Sequence, residues 1–121
     1  MKHNLKYAIF CVFFLTIGCI KNSPEVVFEN NNHQVVDSVK IYTRRDCKPL
    51  TLYNIKPKES KTGNIIFCRN NKSDGSYGIE IFRKGKIITT NGFGYYTNGG
   101  SINHSFQIHY GEFGSILVNS K

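Results

Sequence analysis

Four cysteines, four histidines and eight carboxylates are the side chains of this 121-residue chain that could carry covalent, metal or acid–base chemistry. Cys47 and Cys68 have no histidine or other cysteine two to four residues away, which removes the usual local pattern of a zinc site. His104 and His109 are five apart, so on an extended strand they face opposite sides and do not form a ligand pair. Nothing local supports a cysteine–histidine nucleophilic dyad built on His109. The acids Glu25, Glu29, Asp37, Asp46, Glu59, Asp74, Glu80 and Glu112 are scattered, with no two singled out for paired glycosidic work. No Gly-x-Ser-x-Gly elbow, phosphate-binding loop or His-Glu-x-x-His stretch is present. The expectation is a protein that is not an enzyme, with no catalytic residue, metal or cofactor.

Binding chemistry is better represented. Phe93-Gly94-Tyr95-Tyr96 followed by Thr97-Asn98-Gly99-Gly100 sets aromatics beside glycines, as an exposed stacking platform would. The same stretch reads equally as core aromatics with glycines allowing a bulge and a turn, and that reading is preferred. Strand alternation would send Phe93 and Tyr95 to one face and Tyr96 to the other, leaving one tyrosine outward. Basic residues gather in three groups: Arg44, Arg45 and Lys48; Lys56, Lys58 and Lys61; Arg83, Lys84 and Lys86. If loops at one end of the fold unite them, they make an anion-facing patch; otherwise they are a solvated surface. Tyr95, Tyr96, Arg44 and Arg45 are thus the candidate binding residues.

The first segment has a different character. Lys2, His3 and Lys6 form a basic start, and Tyr7 to Ile17 then runs without a charge. That run is too short to span a bilayer, which takes about 20 apolar residues, and fits the hydrophobic region of a secretory signal. Leu15-Thr16-Ile17-Gly18-Cys19 follows. This resembles the lipobox of bacterial lipoproteins, with Thr16 departing from the leucine most common at its place. The resemblance covers about the first 20 residues. It implies cleavage before Cys19, acylation of the Cys19 thiol and then of the new amino group, and so a stable membrane anchor. It divides the chain into a signal over 1–18, a lipidated tether over 19–24 and a domain over 25–121. By the proteobacterial sorting rule, Ile20 in place of an aspartate favours the outer membrane.

Export reshapes the remaining inventory. On that resemblance Cys11 would leave with the signal and Cys19 would be acylated, leaving Cys47 and Cys68 in an oxidising compartment. A bridge between them would close a loop of about 20 residues and stabilise by roughly 3 kcal/mol; two separate thiols, one packed as a small hydrophobe, is the alternative. Net charge is +8 for the whole chain, and losing Lys2 and Lys6 still leaves a clear basic excess. On an exported protein that excess points to anionic lipid headgroups, an anionic envelope polymer or an acidic protein partner, and away from nucleic acid.

A mature chain of about 100 residues suits one domain that folds without a metal. Short apolar runs alternate with Asn, Gly, Lys and Asp clusters, and no window keeps a helical period. Strands are expected at Val26–Phe28, Val35–Thr43 and Leu50–Leu52, with 57–60 as a loop. The apolar run after Asn64, ending at Cys68, suits a strand covered on both faces, and Asp74-Gly75 suits a hairpin turn. Tyr77-Ile79-Ile81 and Phe106-Ile108-Tyr110 alternate with polar or small residues; Arg83 to Lys86 and Asn98 to Gly100 are turns; Ile116 and Val118 share a face. About seven or eight strands predict an all-β, small antiparallel β-sandwich, with immunoglobulin- or transthyretin-like architecture. The functional expectation is a lipid-anchored binding or structural module of the cell envelope. A periplasmic inhibitor or immunity protein against a hydrolase or toxin is the alternative.

Overall fold

The computed structural model describes residues 23–121, so Cys11, the Leu15–Cys19 motif and most of the tether lie outside the described residues. Nine strands form two facing sheets: β1 (Glu25–Asn30), β2 (Val36–Tyr42), β3 (Leu50–Ile55), β4 (Ser60–Asn64), β5 (Gly75–Arg83), β6 (Lys86–Thr97), β7 (Gly100–Ser101), β8 (Ser105–Tyr110) and β9 (Ile116–Ser120). The only helical element among the described residues is a single 3-10 turn at Glu112–Gly114. One sheet has the order β4-β1-β8-β9 and the other β3-β2-β5-β6-β7. The all-β sandwich read from the sequence is what the chain forms.

Period-two alternation explains how the layers close. Val26 and Phe28 on β1, and Phe106, Ile108 and Tyr110 on β8, turn inward from the first sheet. Val39, Ile41, Tyr77, Ile79 and Ile81 meet them from the second. Their polar neighbours face outward, as the pleat requires. Phe28 stacks on Tyr110, and Tyr77 sits among Phe93, Tyr96 and Phe106 with ring centroids 5.2–5.4 Å apart. Aromatic contacts of this kind contribute beyond their buried area.

Not every pair is antiparallel. β1 runs parallel to β8, with Val26 opposite Phe106 and Phe28 opposite Ile108. Parallel partners need a long connection, and here nearly the whole domain separates the two strands.

Three local expectations are corrected. The run after Asn64 is not a strand: β4 lies just before it, over Ser60–Asn64, starting where the expected 57–60 loop ends. Ile65 to Cys68 instead crosses between the sheets as a lid, with Ile65 fully buried and Phe67 edge-on to Tyr77 and Tyr96. Asp74-Gly75 is no hairpin, because β4 and β5 belong to different sheets; the Asp74 carboxylate accepts from the Asn98 amide. Finally, Gly94 adopts φ +62° within a β6 bulge, where Gly75 pairs with Tyr96 and Tyr77 with Phe93. The extra residue turns both Phe93 and Tyr96 inward and leaves Tyr95 outside.

Candidate functional site

Strand directions sort the loops into two ends. At one end the chain enters β1: the Pro24 carbonyl accepts from Ile65 N–H at 3.0 Å, and the Ser23 carbonyl accepts from the Asn64 side-chain amide at 3.3 Å. The β2–β3 loop, the crossing from Ile65 to Asp74 and the β6–β7 turn share that end. Three links tie them together. Cys47 and Cys68 form a disulfide with Cα atoms 5.5 Å apart. The Tyr96 hydroxyl donates to the Thr43 carbonyl at 3.1 Å. The Gly99 N–H donates to the Ser73 carbonyl at 2.9 Å. A Cβ on Gly99 would overlap the Asn71 carbonyl, so this close approach requires glycine, whose φ is +68°.

The bridge joins two cationic loops. Arg44, Arg45 and Lys48 flank Cys47, while Arg69 and Lys72 follow Cys68, and all five are exposed. Arg44 pairs with Asp46 at 2.8 Å, and Arg45 lies 3.6 Å from Glu80 and 5.5 Å from the Tyr42 ring centroid. Burial and the neighbouring Glu80 raise the Tyr42 hydroxyl above its ordinary pKa, against the opposing pull of Arg45. Among the described residues Lys48, Arg69 and Lys72 make no ion pair, so their charge faces solvent. Phe67, Arg69, Asn71 and Lys72 wall a groove of about 600 Å³, closed on its other side by Asn98 to Ser101. Asn71 is buried; its side-chain oxygen accepts from the Ser73 amide and hydroxyl, and its amide nitrogen has no protein acceptor. Two free cations beside an open groove of mixed polar and apolar lining suit an anionic group.

The sequence-predicted residues divide accordingly. Arg44 and Arg45 belong to this end, but each is already engaged by a carboxylate. Tyr95 is half exposed on the outer face of β6. Tyr96 is a core residue, 2% exposed, and offers no face for a ligand. The other two basic groups are not united with the first: Lys56 and Lys58 lie in the β3–β4 turn, and Lys84 in the β5–β6 turn, at the opposite end of the sandwich. Arg69 and Lys72 were missed because they form no run. Their adjacency to Cys68 was the available signal, since a bridge to Cys47 brings them beside Arg44 and Lys48.

The histidines are dispersed. His109 lies 3.0 Å from Glu29 across the β1–β8 pair, and His33 lies 2.8 Å from Glu112. His104 receives the Glu25 N–H on its carbonyl. Among the described residues no three His, Cys, Asp or Glu side chains converge as metal ligands would. No helix of the described residues is long and apolar enough to cross a membrane.

No family model matches the chain, and no curated protein matches it. Among solved structures it is similar to the NMR structure of a protein from Eubacterium rectale, at 14% identity. That likeness covers 83% of this chain and 89% of the other, with a TM-score of 0.46.

Proposed function

We propose that the chain is a lipid-anchored protein of the bacterial cell envelope, whose basic sandwich serves as a binding module for an anionic partner. The reading rests on the order of a basic start, an uncharged run, Gly18 and Cys19, which resembles a lipoprotein signal. The Cys47–Cys68 disulfide is the structural observation that supports it best. Such bonds persist outside the cytosol, so the bridge accords with export. The first strand starts at Glu25, six residues after Cys19, so the tether this reading assigns is short. Ile20 favours the outer membrane as the site of retention. The free cations Lys48, Arg69 and Lys72 are the binding groups this reading assigns, with Tyr95 an exposed aromatic farther along β6.

Metabolic labelling tests the anchor. In a bacterial host the wild-type chain should incorporate labelled fatty acid and partition into detergent, and Cys19→Ala should lose both. Equal labelling of the variant would remove the anchor from the proposal.

A further inference from the structure

The structure places the entry of the chain and one of its two cationic ends on the same side of the sandwich. Ser23 and Pro24 are held against Asn64 and Ile65, at the start of the crossing that carries Cys68, Arg69 and Lys72. Six residues from Cys19 to Pro24 span at most about 20 Å. An acyl anchor at Cys19 therefore keeps this end close to the bilayer surface, and the end bearing Lys56, Lys58 and Lys84 points away from it.

We propose, resting on the anchored reading above, that the disulfide-bridged end docks on anionic headgroups of the membrane that holds the anchor. Lys48, Arg69 and Lys72 face the lipid phosphates, and the groove between Phe67, Lys72 and Asn98 receives a headgroup. The tether makes this encounter intramolecular, so weak contacts suffice to hold one orientation. Each lysine or arginine near an anionic leaflet adds about a fivefold preference for it, within a Debye length of roughly 10 Å. The docked sandwich then presents Lys56, Lys58 and Lys84 outward.

The test uses the acylated full-length product, with fatty acid on Cys19 confirmed by mass spectrometry, inserted into vesicles. Hydrogen exchange is followed at the amides of Cys47, Asn71 and Gly99, each hydrogen-bonded within this end. In vesicles containing phosphatidylglycerol these amides should exchange at least about tenfold more slowly than in phosphatidylcholine alone. The slowing should vanish in high salt and in R69A/K72A, and persist in K56A/K58A, with both variants keeping the wild-type unfolding midpoint. Equal exchange on the two lipids, or equal loss in the K56A/K58A variant, would overturn the docking while leaving the anchor intact. Slowing produced equally by soluble polyphosphate over phosphatidylcholine would also overturn it, by assigning the groove to a free polyanion. Absence of fatty acid on Cys19 would sink the anchored reading itself, and is read separately.

Discussion

Single residues decide how firmly the two ends are set. Asn30 is fully buried where β1 leaves the sheet. Its amide donates to the carbonyls of Gln34 and Ile55, and its oxygen accepts from Asn32 N–H. Asn30→Leu keeps the branched shape, with somewhat more bulk, but strands all three backbone groups, each worth about 1–3 kcal/mol when left buried and unpaired. Denaturant unfolding should show a loss of at least about 2 kcal/mol, and a near-neutral outcome would mean that water replaces the amide. Tyr77 gives a pH signature. Burial raises its pKa above the ordinary 10.0, partly offset by the hydrogen bond to Ser101 at 3.2 Å. The unfolded chain therefore releases this proton first, and stability present below pH 10 falls as pH climbs through the higher folded value. Thermal midpoints should hold up to about pH 10 and drop beyond it, more steeply for wild type than for Tyr77→Phe. At this scale the sequence was half legible: Cys47 and Cys68 could be paired by elimination, whereas the burial of Tyr96 could not, because one bulge at Gly94 reverses every later facing on β6.

Elements show why some strands announced themselves and others did not. β5 and β8 carry clean alternation because one face meets the core and the other meets water. Ile79→Ala and Ile108→Ala, both fully buried, should each cost about 2–5 kcal/mol by chemical denaturation. β4 is an edge strand holding to β1 by backbone pairing, and Ser-Lys-Thr-Gly-Asn contains no apolar side chain to betray it. The apolar run beside it looked like the strand, but only Ile65 in it is fully buried; Ile66 is exposed, and Phe67 packs edge-on to the core aromatics at the open end of the core. Hydrophobicity reports coverage, not hydrogen-bond pattern. The bulge offers a sharper test. A methyl at Gly94 would approach Phe106 and Tyr77 to about 3 Å while holding a φ of +62°. Gly94→Ala should therefore destabilise by about 1–3 kcal/mol, whereas Gly85→Ala, at a turn with open space around it, should lose less. Equal losses at the two positions would mean that backbone strain alone matters and that the contact with Phe106 does not.

At the scale of the whole molecule, the tether and the core meet in one strand. β1 lies between β4 and β8, pairing antiparallel with the first and parallel with the second. Val26 and Phe28 are both fully buried within it, so the strand that leaves the tether is also the middle of a sheet. No local pattern foretells this: alternation says which face is buried, but not which distant strand lies alongside, nor in which direction. One consequence is that the tether can be cut back to Ser23 without loss, but not past β1. A fragment over 23–121 should fold, giving a strand-rich circular dichroism spectrum and dispersed amide resonances. A fragment over 31–121 should not, because it leaves the inner edges of β4 and β8 unpaired and a slot in the core where Val26 and Phe28 belong. Adding a synthetic peptide of residues 23–30 should restore dispersion, since the vacant slot offers backbone partners on both sides and two apolar pockets for one short strand. If 31–121 folded alone, β1 would be an accessory strand. The distance between the anchor and the cationic loops would then no longer be set by the core.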